Sequence, residues 1–278
     1  MGCGTDPAQN LERAVELTRE AARLGANVVC HQELFLTQYF CRVQDPRSFG
    51  LAESVPGPTT GAMSRLAREL GVVIVVPLFE RAGARFYDTA VIIDADGSLA
   101  GKYRKTHLPE EPLYHEKFYF SPGDLGFRAH DTRFGRIGVL VCWDQWFPEA
   151  ARLTALDGAD VLLYPTAIGW SSADRDQYGE ADLSAWETVQ RGHAISNGVY
   201  VVAANRTGRE GPPGQDIQFW GSSFAVDPHG RVVARASRDG QGVLVVDIDP
   251  WEVAEAQRQW PFFRDRRVDA YGGLVGGR

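Results

Sequence analysis

Ile137-Gly-Val-Leu-Val-Cys142-Trp-Asp-Gln-Trp146-Phe-Pro148-Glu149 is the stretch on which the reading of this chain turns. Its aliphatic and β-branched run predicts a buried strand. The run ends in a cysteine, a tryptophan-rich turn follows, and Pro148 opens a helix. A rigid strand followed by a turn holds a reactive side chain at the rim of a sheet, where backbone N–H groups also face a developing negative charge. The same residues fit a packed core cysteine, the commoner fate of a lone strand Cys. What else the chain brings decides between the two.

Working outward, Phe127–His130 pairs with Arg136–Cys142 through a turn at Arg133-Phe134-Gly135. Downstream, a helix over Pro148–Leu156 leads to a strand over Asp160–Tyr164. A polar loop from Pro165 to Tyr178 carries Trp170, and a helix over Ala181–Asn197 is stopped by Gly198. Strands follow at Val199–Ala204, Ser222–Val226, Val232–Ala236 and Val243–Ile248. Upstream, a turn at Thr5–Asn10 leads to a helix over Leu11–Leu24 and a short strand over Ala26–His31. After an aromatic-rich loop come a helix over Thr60–Leu70 and the continuous apolar run Val72–Phe79, the pattern of a strand buried on both faces. Phe86–Arg104 reads as a hairpin through Asp96-Gly97. No linker, repeat or low-complexity break interrupts this alternation, so residues 1–278 read as a single domain. Hairpins mixed with helical crossovers predict an α/β chain of mixed sheets with helices outside, and the length favours two sheets.

The composition, 44% hydrophobic and 23% charged, supports a sizeable core. A net charge of −7 argues against nucleic acid as a partner and suits a cationic small molecule. No apolar run reaches the ~20 residues of a membrane span, and the N-terminus lacks a signal-peptide pattern. Met1-Gly2-Cys3 begins like a myristoylation site, but Asp6 stands where Ser or Thr is needed. No membrane partner and a cytoplasmic location are therefore expected. Cys3, Cys30, Cys41 and Cys142 show neither CxxC spacing nor paired histidines, so neither zinc nor another metal or cofactor is expected.

Two further groups lie at strand ends. Glu33 follows the short strand, and Lys105 follows the hairpin within Lys102-Tyr-Arg-Lys-Thr-His-Leu-Pro109. Alone, Glu33 reads equally as a solvated carboxylate and the cations as a solvated edge. A free thiol has a pKa of about 8.5 and needs help to ionise. A nearby carboxylate takes its proton, and an ammonium favours the thiolate and then an oxyanion. Glu33, Lys105 and Cys142 thus suffice to hydrolyse an amide-like carbon without histidine or metal.

Several long words in order raise this further. Leu34–Cys41, Lys102–Pro109, Tyr114-His-Glu-Lys-Phe-Tyr-Phe120 and Cys142–Glu149 resemble the nitrilase superfamily of carbon–nitrogen hydrolases. Within it they are most similar to the N-carbamoylputrescine amidohydrolase branch. Gln190–His193, Asn205-Arg206, Phe219–Phe224 and Trp260–Arg267 extend the resemblance over nearly the whole chain. It implies a four-layer α-β-β-α sandwich that pairs into a homodimer or higher homo-oligomer. Carried over, Glu33 is the general base, Lys105 the oxyanion stabiliser, Cys142 the nucleophile, and the backbone N–H of Trp143 a second oxyanion donor. Glu116 matches a second glutamate beside the lysine; otherwise it is a loop carboxylate paired with Lys117. Tyr114, Trp146, Ala167 and Trp170 are the implied substrate contacts. The implied reaction splits a small N-carbamoyl amine into amine, carbon dioxide and ammonia through a cysteine-bound intermediate.

Two departures bear on this. Members of the family begin with a strand ahead of the Cys3-Gly-Thr-Asp-Pro turn, which this sequence lacks, and an exposed sheet edge is expected to lower solubility or activity. The loop from Trp170 to Glu180 also differs from the branch, leaving Asp174, Asp176, Glu180 or Asp182 to meet a distal ammonium and Trp170 to cover the substrate chain. An ω-amidase, an aliphatic amidase, a nitrilase or a catalytically silent scaffold remain alternatives. The apolar and arginine-rich tail over residues 251–278 is expected to dock on the domain or on a second subunit.

Overall fold

The computed structural model describes residues 1–276, with side chains at all but 172–174. Helix α1 (Pro7–Arg23) starts earlier than its apolar spacing indicates, because Pro7 sits at the first helical position and the Asp6 carboxylate caps Ala8 N–H. It is followed by β1 (Val28–Cys30), α2 (Pro58–Leu70), β2 (Val73–Ala82), β3 (Arg85–Ile93) and β4 (Leu99–Arg104). These strands form one sheet in the order β1-β2-β3-β4. β1 and β2 run parallel across the α2 crossover, and β2, β3 and β4 form an antiparallel meander. Gly97, at φ 82°, makes the turn between β3 and β4.

A small hairpin, β5 (Glu110–Glu111) and β6 (Tyr114–His115), leads into α3 (Glu116–Tyr119). The second sheet is built from β7 (Ala129–Thr132), β8 (Gly135–Val139), β9 (Val161–Thr166), β11 (Tyr200–Asn205), β14 (Phe224–Val226) and β15 (Val232–Arg235). Its helices are α4 (Pro148–Leu156) and α6 (Glu180–Asn197), and α7 (Pro250–Gln259) follows its last strand. The segment expected as a polar loop instead contains β10 (Gly169–Trp170) and α5 (Ser172–Gln177). β10 pairs with β13 (Ile217–Phe219), which in turn pairs with β12 (Arg209–Glu210).

The alternation along β2 sets the layering. Val73 and Val75 join a core shared with Ile137, Val139, Leu163 and Val201 of the second sheet, so the two sheets face each other. Ile74, Val76 and Leu78 point the other way, onto Ala14 and Leu17 of α1 and Met63 and Leu66 of α2. On the far side, α4 and α6 cover the second sheet through Ala150, Ala151, Trp186 and Ala194. The order is helix, sheet, sheet, helix. Among the described residues no helix is long and apolar enough to cross a membrane.

Residues 243–248 do not form the expected strand. They run alongside a cavity of about 750 Å³ whose other wall includes Val28, Cys30 and His31 of the first sheet, and Met1 also lines it. Among the described residues β1 is bonded to β2 alone, so its other edge faces this cavity. In the tail, Val253 and Ala256 of α7 are buried, whereas Trp251 is 81% exposed and Trp260, Phe262 and Leu274 are also exposed.

Candidate active site

Glu33 stands in the turn after β1, Lys105 follows β4, and Glu116 opens α3, so three separate elements deliver charge to one point. Lys105 Nζ lies 2.7 Å from Glu33 Oε1, 2.6 Å from Glu116 Oε2 and 3.7 Å from Asp88 Oδ2. All four side chains are buried. Glu116 is therefore paired with Lys105, not with its neighbour Lys117. Tyr39 O–H also donates to Glu116 Oε1 at 2.6 Å. Burial pushes the Glu116 carboxyl up, Lys105 and Tyr39 pull it partly back, and it rests at about 7. For Lys105 burial would favour loss of the proton, but Glu116 and Glu33 outweigh it and hold the ammonium well above its ordinary value.

Cys142 comes from the facing sheet. It lies a turn beyond the end of β8, at the start of a 3₁₀ turn over Cys142–Trp146, with φ 43°. A non-glycine residue in this left-handed region stores about 1–3 kcal/mol of strain, which the surrounding contacts must hold in place. Asp144 supplies much of that hold. Its carboxylate accepts from Val141 N–H, Tyr103 O–H and His107 N–H at 2.8–3.0 Å, and the His107 ring lies 2.7 Å away and stacks on Phe147. This network ties the nucleophile turn to the chain that carries Lys105. From the other side, Trp186 and Gln190 of α6 donate to the Gln145 side chain, and His193 bonds to the Gln145 carbonyl.

Burial, then the Glu33 carboxylate, drive the Cys142 thiol well above its ordinary value, while Lys105 and the Ala167 backbone N–H favour the thiolate. Burial thus favours the protonated thiol, so a thiol placed here would need a base in order to attack. The turn holding Glu33 is itself strapped down. The buried Arg206 guanidinium donates to the carbonyls of Glu33 and Leu34, both at 2.9 Å, and to Thr37 O and Glu210. Asn205 bonds both the N–H and the carbonyl of Ile168, fixing the segment that presents Ala167.

Around these groups, Tyr114 O–H donates to Gly169 O and accepts from Gly169 N–H, both at 3.1 Å. Trp143 and Trp146 contact edge to face within the nucleophile turn. Trp170 is buried against Trp220, and the guanidinium over its ring belongs to Arg238. It also lines a small cavity of about 130 Å³ with Asp176, Arg209 and Asp216. Asp174 lies outside the residues whose side chains are described. Glu180 is taken by Arg238 at the surface.

Oxygens of Glu33, Asp88 and Glu116 converge within 4.8 Å, a spacing that could hold a cation. The Lys105 ammonium already occupies the space among them and supplies one compensating positive charge. Asp88, Tyr39, Asp144 and Arg206 are the members that sequence reasoning missed. The resemblance did contain Tyr39, Asp144 and Arg206 within its quoted words, but without a stated job, whereas Asp88 lies outside them.

The chemistry these groups provide is nucleophilic opening of a carbonyl carbon by a thiol, with a carboxylate to move the proton and an ammonium to meet the oxyanion. On an α-β-β-α sandwich, such chemistry would suit a hydrolase. The chain belongs to the carbon–nitrogen hydrolase family, whose model matches residues 3–258. It is 46% identical to an N-carbamoylputrescine amidase of Arabidopsis thaliana over 98% of this chain and 92% of that one. A citrullinase of Francisella tularensis is 40% identical over 96% of this chain and 93% of its own length. The crystal structure of a carbon–nitrogen hydrolase from Helicobacter pylori G27 superposes with a TM-score of 0.94 at 42% identity, covering 99% of this chain and 95% of the other. The enzyme class is thus a hydrolase of non-peptide carbon–nitrogen bonds.

Proposed function

We propose that the protein hydrolyses a small N-carbamoyl amine of the N-carbamoylputrescine type, with Glu33, Lys105, Cys142 and Glu116 as its catalytic residues. The observation that carries this is the buried Lys105 ammonium held between Glu33 and Glu116 in reach of the thiol's field. High identity to N-carbamoylputrescine amidases across almost the full chain supports the carbamoyl substrate. Glu33 takes the thiol proton as Cys142 attacks the carbamoyl carbon, and Lys105 with the Trp143 N–H meets the oxyanion. Glu33 then returns the proton to the departing nitrogen, releasing ammonia. A water deprotonated by Glu33 attacks the remaining thiocarbamate, the thiol is restored, and the carbamic acid released falls apart into amine and carbon dioxide.

Tyr114, Trp146, Ala167 and Trp170 form the substrate walls in this reading. The indole N–H groups of Trp146 and Trp170 are buried without an acceptor among the described residues, which suits them to a substrate oxygen. A second carbamoyl substrate, one carrying an amino-acid head, is favoured by the likeness to a citrullinase. The exposed Trp251, Trp260 and Phe262 support association into a homodimer. Four unpaired cysteines suit the reducing cytoplasm. The deciding experiment measures ammonia and carbon dioxide release from N-carbamoylputrescine, citrulline and ω-amides, with Cys142→Ala as control. Equal yields of both products from N-carbamoylputrescine are expected. Ammonia from ω-amides alone would overturn the substrate assignment.

A further inference from the structure

Asp88 is a fourth charged group that the reaction above leaves idle. It lies in the middle of β3, opposite Phe79 of β2, and its backbone carbonyl accepts Lys105 N–H at 2.8 Å. Its side chain is buried, and neither of its oxygens has a hydrogen-bond donor among the described residues. Its nearest cation, Lys105, stands 3.7 Å away, beyond a hydrogen bond and already engaged by Glu33 and Glu116. One oxygen of Glu33, Oε2, is likewise without a donor.

Three carboxylates within 4.8 Å of one another and one ammonium would leave two net negative charges among buried side chains. Neighbouring buried carboxylates avoid this by holding a proton between them. The groups facing Asp88 are Glu33 from the turn after β1, Cys41 from the turn after it, Lys105 after β4, Glu116 from α3 and, beside them, Cys142. Only Lys105 among them is cationic. Burial and then Glu33 push the Asp88 carboxyl well above its ordinary range, and Lys105 offsets this only in part.

We propose that Asp88 is a positioning residue: as a neutral carboxylic acid it donates a hydrogen bond to Glu33 and so keeps Glu33 the ionised acceptor of the Cys142 proton. This rests on the assignment of Glu33 as the base of the reaction proposed above. The arrangement separates two acids by role, one holding its proton and one receiving. Without the donor, Glu33 becomes the more basic partner, takes up a proton from solvent, and is lost as acceptor until the pH is raised.

The test compares Asp88→Asn, which keeps an N–H donor at the same place, with Asp88→Ala. Two readouts are followed against pH: kcat and KM on the best carbamoyl substrate, and the rate of Cys142 alkylation by iodoacetamide. The second needs no substrate, so a wrong substrate assignment and a wrong role for Asp88 are told apart. Asp88→Asn should stay close to the wild type in both. Asp88→Ala should lose about tenfold or more in kcat with KM little changed, and the acid limb of its alkylation profile should move to higher pH. Difference infrared spectra taken well above the Glu116 value of about 7, where that carboxyl is ionised, should show a carboxylic-acid band in the wild type that Asp88→Asn lacks, a readout that survives if Asp88→Ala fails to fold. Equal impairment of both variants would mean that an ionised Asp88 is required and would overturn the proposal. So would an infrared band that persists in Asp88→Asn, or unmoved pH limbs in both variants.

Discussion

The Tyr39 hydroxyl donates to Glu116 across 77 positions of sequence at 2.6 Å, and Glu116 passes the constraint on to Lys105. A hydrogen bond to the charged form favours ionisation. Removing it in Tyr39→Phe therefore raises the Glu116 carboxyl from its position at about 7. Activity that depends on ionised Glu116 is expected to fall about tenfold at neutral pH, as for loss of a bond to a charged group. A kcat/KM profile should show the acid limb displaced upward and activity recovering at alkaline pH.

Glu80 makes a separate test of stability. It accepts from Arg104 Nε and Nη2, Lys102 and Thr89 at 2.5–2.9 Å. Burial alone would raise its carboxyl, but Arg104, Lys102 and Thr89 outweigh it and hold it at about 2. A depressed folded value means that this contribution is complete above the ordinary 4.5 and is lost as pH falls through about 2. Glu80→Gln is expected to cost about 3 kcal/mol near neutrality, since it removes the buried carboxylate that Lys102 and Arg104 share and leaves Arg104 only its contact with Asp124. Urea midpoints for wild type and variant should converge as the pH drops below 4.5.

Asp144 holds the strained nucleophile turn to the strand end that carries Lys105. Asp144→Ala should lower stability by about 2–4 kcal/mol by orphaning buried donors. It should also reduce kcat far more than KM, because the thiol loses its fixed position while the substrate walls stay. Thermal melts and steady-state kinetics on the same preparation separate the two effects. Unaltered kcat in a folded variant would show that the turn is held by Gln145 and α6 alone.

The cavity between β1 and residues 243–248 has an unpaired strand edge on one side and an extended apolar run on the other. Sheet neighbours lie about 4.7–4.9 Å apart, so a single strand is the natural filler for such a slot. Amides of 243–248 are expected to exchange with deuterium much faster than those of β2 or β11. An alternating apolar segment placed ahead of Met1 should slow that exchange and raise the melting temperature. Exchange measured by mass spectrometry with and without the added segment checks both.

Parts of this site can be read directly from the chain, and parts cannot. Glu33 and Cys142 each follow an apolar run that breaks into polar residues, and Lys105 ends the cationic strand of a hairpin, so a strand end marks all three. Trp170 is harder: its neighbours Ser171 and Arg175 give the stretch a polar look, yet pairing with β13 and contact with Trp220 bury it. Asp88 leaves no mark at all. Between Tyr87 and Thr89 in a strand, a lone acid looks like an outward-facing residue, and only the register of β3 against β4 brings it to Lys105. Residues 243–248 fail for the opposite reason. Their apolar, β-branched composition suits a strand, but a strand needs a neighbour to bond, and that is a property of the fold and not of the segment.

Glu33 and Lys105, the base and the ammonium of the proposed reaction, belong to one sheet and the Cys142 thiol to the other, with side-chain packing and a few long-range hydrogen bonds fixing one sheet over the other. Turnover in this enzyme is thus a gauge of sheet-against-sheet alignment. A slip too small to change the secondary structure would part the proton acceptor from the sulfur and silence the enzyme while it still looked folded.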